Sequence, residues 1–403
     1  MGRVVTLFTP KEYQKPIIGS LFNAQIKYTI CCMSRRIGKS LTAKNVVLYW
    51  LLNRKCSVGY ITPTSDLSRK FIKEMVTILE DSGLVKSSNT VDKFITFFNG
   101  SIIYFMSAEG RDNNRGSGFD YLVFDEAAFI STDTYLKVFK PMELQAKKVL
   151  MISTPNGSSG FFYEAFDKGQ NSGYRYRSFK TTLDECGLYD DETVEEIKAG
   201  TTRAIYAQEY NCEFVSDDVS AFGNFTAMVA EEYFEPTERL FAGIDFSGDG
   251  ANNTVLTIVN ERCEMVSQHV FAKGDSKSID DMARILNAQN VAHCFAETNS
   301  MGAISIDYLS KQFRRVEGIA TTNTSKRAYV ENTILNFEQG IGGIVDKNST
   351  VLEFSNFTMK RTSGGNITYG GLSETINDDT VISYCLACWS VRIKGRKGKY
   401  TLS

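Results

Sequence analysis

Two groups of residues in this sequence have types and spacing that could do chemistry. The first is Gly38-Lys39-Ser40, which ends CCMSRRIGKS (31–40), together with the adjacent carboxylates Asp125-Glu126, which end the apolar run YLVFDE. A lysine and a hydroxyl opening a helix after glycine suit a nucleoside triphosphate. Backbone N–H groups point at phosphate oxygens, the ammonium neutralises the β and γ phosphates, and the hydroxyl ligates Mg²⁺. Asp125 can hold that Mg²⁺ through water while Glu126 polarises the attacking water. The usual phosphate loop has glycine where this chain has Met33, so the loop is weak evidence alone and the carboxylate pair carries the weight. Arg35 and Arg36 offer a planar guanidinium to the γ-phosphate. Ser34 and Gly38 belong to the same nucleotide-binding loop. Upstream, Gln14 in PKEYQKP could read an adenine edge with its amide.

The second group is acidic: Asp245 in GIDFSGDG (243–250), Glu297 in CFAETNSMG (294–302), and Asp378 with Asp379 in ETINDDTVISYCLACW (374–389). Taken singly, Glu297 reads as a strand-end charge, Asp378 or Asp379 as a helix cap, and the nearby Asp249 as a turn residue. Taken together, a carboxylate from a first strand, one from a fourth strand and one from a last helix can converge only if the fourth strand lies beside the first. That is the layout of a ribonuclease-H-like fold. Converging carboxylates repel unless cations sit between them. All-oxygen ligands select Mg²⁺ or Mn²⁺, and two such ions could activate water and stabilise the leaving oxygen of a phosphodiester.

The elements that must position these residues alternate. Strand-like runs at 26–33, 56–64, 101–108, 120–126 and 148–155, with helical runs at 39–54 and 66–83, predict a parallel sheet covered on both faces. The second helix carries apolar residues at 67, 71, 72, 75, 78 and 79. Between 216 and 238 the pattern breaks, and a linker is placed there, with domains at 1–215 and 239–403. Three closely spaced strands open the second domain and suit antiparallel pairing.

The 403 residues suit two domains, and 42% hydrophobic with 23% charged content suits a globular chain. No apolar run approaches a membrane span, and the N-terminus lacks a signal peptide's apolar region. Nine scattered cysteines suit reduced thiols, and Cys385-Leu386-Ala387-Cys388 reads as core packing in preference to metal binding. With a formal charge of −2, nucleic-acid contact needs local patches, of which RIKGRKGKY (392–400) is the densest. RDNNRGSGFD (111–120) is a polar loop that could touch DNA or a neighbouring subunit, and STPNG (153–157) could sense the γ-phosphate through a Thr or Asn side chain.

SRRIGKS, VFDEAAF, STPNG, GIDFSGDG, AETN and NDDTVISYCLA, spread over nearly the whole chain, resemble the large terminase subunits of tailed bacteriophages and related viruses. The resemblance implies a P-loop ATPase domain followed by a ribonuclease-H-like nuclease domain. It implies ATP and Mg²⁺ at Lys39, Ser40, Asp125 and Glu126, with Arg35 or Arg36 as the loop arginine, and STPNG as the coupling motif. It implies two Mg²⁺ or Mn²⁺ ions held by Asp245, Glu297 and Asp379, with Asp378 as helper or substitute. The implied partners are double-stranded DNA, the portal of a procapsid, a small terminase subunit and further copies in a ring. The implied place is the host cytoplasm, transiently on the procapsid, with no membrane. Family members often have an acidic residue before Thr254; Asn252-Asn253 stand there, which leaves a fourth ligand open. Two other readings fit parts of the chain: a helicase-like or DNA-repair ATPase with an accessory nuclease, and a non-enzymatic subunit whose ATP site has decayed, motivated by Met33.

Overall fold

Apolar runs without a helical period become strands, most of them in one eight-stranded and one five-stranded sheet, and each of these two sheets belongs to its own unit. The computed structural model describes residues 9–79, 82–109, 118–171, 174–215, 220–246, 253–271, 278–298, 302–362, 366–372 and 377–395. One unit comprises residues 1–216 with 361–366, the other 217–360 with 367–403. Residues 110–117 of the polar loop, 247–250 after Asp245, Asn252, and 396–400 of the basic patch lie outside the described residues.

The first unit runs α1 (Gln14–Phe22), β1 (Tyr28–Met33), α2 (Lys39–Asn53), β2 (Ser57–Thr62), α3 (Ser65–Leu79), β3 (Val85–Asn89), β4 (Phe94–Phe97), β5 (Ile102–Ser107) and β6 (Tyr121–Asp125). A short turn α4 (Thr132–Thr134), β7 (Lys148–Ser153), α5 (Gly160–Asn171), β8 (Tyr176–Thr181), α6 (Asp191–Ala199) and α7 (Arg203–Glu209) complete it. The sheet order is β3-β4-β5-β2-β6-β7-β1-β8. Strands β5, β2, β6, β7, β1 and β8 pair in parallel, as the alternating pattern predicts. The edge pair β3–β4 is antiparallel to its neighbours, a departure from the all-parallel expectation. Its strands are short and mostly polar, which gave the hydrophobic pattern little to read. On α3 the residues Phe71, Ile72, Met75 and Leu79 are buried in one core with α2, whereas Leu67 and Ile78 face outward.

The second unit contains β9 (Val229–Ala230), β10 (Leu240–Asp245), β11 (Thr254–Asn260), β12 (Met265–Phe271), α8 (Ser278–Ala288), β13 (His293–Glu297), α9 (Gly302–Gln312) and β14 (Val316–Ile319). There follow α10 (Asn323–Glu338), β15 (Ile344–Val345), α11 (Thr350–Ser355), β16 (Phe357–Arg361), β17 (Ile367–Gly371) and α12 (Asp379–Lys394). Its sheet order is β12-β11-β10-β13-β14, with β10 antiparallel to β11 and parallel to β13. The described part of the expected linker is built structure within this unit: β9 pairs with β15, the Ala221 N–H bonds the Phe357 carbonyl, and Phe222 packs on Phe337 and Phe354.

Helix α12 is buried from Asp379 to Cys388, so Cys385 and Cys388 are core residues, with burial pushing the Cys385 thiol up to about 12. The helix comes this close to the sheet because β10 has glycine at its centre. A Cβ on Gly243 would stand 2.1 Å from the Ser383 carbonyl oxygen and 2.4 Å from the Ala387 nitrogen. Both are helix backbone and cannot rotate aside. Gly243→Ala is therefore expected to push α12 off β10 and destabilise the second unit by about 1–3 kcal/mol. Urea unfolding followed by fluorescence reads this, and an unchanged midpoint would count against the close approach.

Candidate functional site

In the first unit β1 leads straight into the loop 34–38. Met33 is still paired in the strand with Thr181 and is wholly buried, with no left-handed backbone, so nothing at position 33 requires glycine. The turn is made later, by Arg36 (φ 63°) and Gly38 (φ 87°). Left-handed geometry is natural for glycine and costs roughly 1–2 kcal/mol at an L residue, so Arg36 is held there by its surroundings. The Tyr189 hydroxyl bonds the Arg36 carbonyl at 3.1 Å and the Tyr13 hydroxyl bonds the Ile37 carbonyl at 2.5 Å. Gln14 is buried behind the loop, where its amide donates to Thr42 Oγ1 at 2.8 Å and accepts from the Lys11 N–H at 2.8 Å. Those contacts brace the loop; they do not hold the amide toward an open pocket.

The loop brings Lys39 over the carboxylates at the end of β6. Its side chain is 7% exposed; Nζ bonds the carbonyls of Ser34 (3.1 Å) and Met33 (3.3 Å) and stands 3.9 Å from Glu126 Oε1. Asp125 accepts from the Tyr60 hydroxyl at 2.7 Å, and the Ser40 hydroxyl is near enough to lower its pKa. Burial raises the Asp125 pKa against the pull of those hydroxyls and of Lys39, and it raises Glu126 against the pull of Lys39. Glu126 has a left-handed backbone (φ 52°), which turns its carboxylate out of the strand direction, and it accepts from Ser153 Oγ at 3.3 Å. A cavity of about 230 Å³ adjoins Ser40, Asp125 and Glu126 and is walled by Lys44 and Lys70. Ser40 and Asp125, both oxygen ligands on one cavity wall, fit a hard divalent cation.

Arg35 and Arg36 differ. Arg35, though 60% exposed, has its Nε held by Glu209 at 2.6 Å and its N–H bonded to the Glu209 carbonyl, tying the loop to α7; Arg36 is exposed as well. Within STPNG it is Ser153 that reaches Glu126; Asn156 instead donates to the Ala128 carbonyl at 3.3 Å.

In the second unit Asp245 and Glu297 end neighbouring parallel strands, one step beyond the Ile244–Ala296 pair. Asp379 opens α12 and is 3% exposed; its Oδ2 accepts from the Asn253 N–H at 3.0 Å. Glu297 accepts from the Tyr329 hydroxyl at 3.0 Å, and Asp378 from Lys326 Nζ at 3.1 Å. Asp245 is 8% exposed and has no hydrogen-bond donor among the described residues. Burial, then repulsion by Glu297, Asp379 and Asp378, holds its proton well above the ordinary carboxylate range. Burial likewise pushes Asp379 up to about 6. A buried carboxyl that finds no donor among the described residues, set among three others, fits a divalent cation with oxygen ligands. Among the described residues no three such side chains stand close enough to share one ion as they are, so ligation requires them to rotate inward.

Several residues of these two centres carry no readable sequence signal: Tyr60 and Glu209 in one, Lys326, Tyr329 and Glu353 in the other; STPNG points to its Thr or Asn and not to Ser153. Glu353 on α11 illustrates why. It holds the start of α12, because Thr380 donates both its N–H (2.9 Å) and its hydroxyl (2.6 Å) to Oε2. Burial, ahead of repulsion by Asp379 and Asp378, raises its pKa from 4.5 to about 7. A folded-state pKa above the unfolded one gives stability that is full below about pH 4.5 and is lost as pH rises through about 7. Glutamine's carbonyl can accept both Thr380 bonds without a charge. In EDTA, the fall in Tm of the wild-type second unit between pH 5 and pH 8 should therefore shrink in Glu353→Gln; an identical pH dependence would contradict the buried-charge account.

With known proteins the chain has the following likenesses. Residues 30–227 match the family model described as terminase large subunit, T4likevirus-type, N-terminal. The chain is 28% identical over 227 residues to the large terminase subunit of Escherichia phage T5; the match covers 55% of this chain and 51% of that protein, about half its length. It is 24% identical over 424 residues to the large terminase subunit of Thermus phage G20c, covering 91% of this chain and 85% of the other. The large terminase of a thermophilic bacteriophage has the same fold, with a TM-score of 0.57 at 14% identity over 96% of this chain and 99% of that one. A structure of that phage's enzyme in complex with ATP-gamma-S gives a TM-score of 0.56 at 14% identity, over 95% of this chain and 99% of that one. The family match lies over the phosphate loop and the Asp125-Glu126 pair, and the likeness in fold to the thermophilic phage enzyme extends over both units: the first half of the chain matches the N-terminal model of the phage large terminase subunits, and the whole chain is similar to such subunits.

Proposed function

We propose that this chain is a viral DNA-packaging motor that carries its own endonuclease, hydrolysing ATP to drive double-stranded DNA into a procapsid and cutting the concatemeric genome. The observation that carries this reading is the pair of buried acidic centres in one chain, one facing a phosphate-loop lysine and one built from carboxylates around Asp245. Met33 supports an intact nucleotide site and not a decayed one, since the residue belongs to β1 and the loop turns at Arg36 and Gly38.

In the motor the γ-phosphate replaces Glu126 as the partner of Lys39. Glu126, released from the ammonium and steadied by Ser153, then orients the attacking water. Arg35 anchors the loop through Glu209, which leaves Arg36 as the guanidinium able to meet transition-state charge. Ser40 and Asp125 would hold Mg²⁺, which would supply charge neutralisation at the phosphates.

In the nuclease, Asp245, Glu297 and Asp379, with Asp378 beside them, would hold Mg²⁺ or Mn²⁺, which supplies activation of water for phosphodiester hydrolysis. The chain's own part is to aim these carboxylates from two strand ends and one helix start. The thermophilic phage terminase in complex with ATP-gamma-S supports nucleotide binding at the motor site. The portal, the small terminase subunit and further copies in a ring belong to the same proposal, as does the host cytoplasm as the place of work.

The two activities should separate. Lys39→Ala is expected to abolish ATP hydrolysis and spare metal-dependent cutting, and Asp245→Ala to do the reverse; loss of both activities in either variant would sink the assignment. Glu126→Gln should keep ATP binding while slowing hydrolysis about 10²- to 10⁴-fold. Measured on the chain assembled with portal and DNA, Arg36→Ala should lower kcat, whereas Arg35→Ala should chiefly raise KM by loosening the loop.

A further inference from the structure

Lys326 stands where helix physics disfavours it. It lies in the first turn of α10, at the positive end of the helix dipole, in a turn with no acidic residue. That turn is held by a reciprocal Thr322–Ser325 capping box, so the lysine's starting point is fixed. Its ammonium crosses to Asp378 Oδ2 at 3.1 Å, and both side chains are about one-quarter exposed, at 24% and 25%. Asp378 in turn gives up the usual task of its position. It is the N-cap residue of α12, yet its carboxylate makes no capping bond and faces Lys326 instead. The adjacent Arg327 does not share the role, since its Nε is taken by Glu331 at 2.7 Å.

The other carboxylates of the centre have neutral donors: Glu297 the Tyr329 hydroxyl, and Asp379 the Asn253 N–H. Lys326 is the cation whose field also reaches buried Asp245. A divalent ion placed among these carboxylates meets an ammonium already there, and two cations cannot share Asp378 without mutual repulsion.

We propose that Lys326 is a tethered counter-cation of the nuclease centre, occupying its Asp378 side until a divalent metal displaces it, so that metal affinity is set by competition with this lysine. The inference rests on reading the centre as a metal site. It assigns Asp379, with Asp245 and Glu297, to the inner part of that site and Asp378 to the contested rim.

The test is Mn²⁺ titration of the full-length, nucleotide-free chain by calorimetry and by loss of the free-Mn²⁺ paramagnetic resonance signal. Wild type, Lys326→Met, Lys326→Arg and Asp245→Asn are compared, and the Asp245-dependent binding is taken as that of the nuclease centre. Lys326→Met is expected to bind Mn²⁺ about 5-fold or more tightly, the lower end of ordinary coupling between sites. Lys326→Arg should stay near wild type. Metal-free Lys326→Met should also melt lower than wild type and gain more in Tm from Mn²⁺. Should Lys326→Met destabilise the fold too far to titrate, Lys326→Gln gives the same comparison. Unchanged or weaker Asp245-dependent Mn²⁺ binding in both neutral variants overturns the competition while leaving the metal site standing. Absence of Asp245-dependent Mn²⁺ binding in wild type overturns the metal site and this inference with it.

Discussion

A charged side chain removed from water must find a donor or an opposite charge, and both centres of this chain are shaped by that cost. In the first unit the Lys39 ammonium is almost wholly covered, and two loop carbonyls and Glu126 take the place of its water. In the second unit Asp245, Glu297 and Asp379 are all buried, and among the described residues hydroxyl and backbone donors reach only the latter two. Asp245 is left to hold a proton. Under the proposed function, phosphate oxygens would take Glu126's place beside the lysine and a divalent cation would relieve the repulsion among the carboxylates.

Sheet topology decides which charges meet. Asp125 and Ser153 end neighbouring parallel strands β6 and β7, and β1 lies on the far side of β7. The phosphate loop after β1 can therefore close over the ends of both. In the second unit the parallel pairing of β10 with β13 sets Asp245 beside Glu297, and the missing side chain at Gly243 lets α12 settle on β10 and bring Asp379 to them. A glycine in mid-strand thus serves a charge cluster at the strand's end. Glu353 does complementary work from α11 by holding the first turn of the same helix.

Much of this was legible before any coordinates. Strong apolar runs predicted β1, β2, β5, β6 and β7 to within a residue or two, because a strand buried on both faces is continuous in sequence. The edge strands β3 and β4 were not foreseen, since VKSSN and FITF are too polar or too short to stand out. The stretch 216–238 reads as a linker because its aromatic residues have no period, yet Phe222 is an anchor on α10 and α11. Met33 misled for a related reason, as a motif written residue by residue cannot tell whether position 33 lies in the strand or in the turn.

By itself the sequence determined the chemical inventory: a lysine and a hydroxyl at a helix start, paired carboxylates at a strand end, and four acidic residues spaced along a second α/β pattern. Those follow from residue type and local period, which do not need long-range contacts. Only the tertiary structure decided the partners, that Ser153 and not Asn156 steadies Glu126, that Glu209 claims Arg35, and that Lys326 faces Asp378. Hydrogen bonds and ion pairs act over about 3 Å, and residues that far apart in space can lie 174 positions apart in the chain, as Arg35 and Glu209 do.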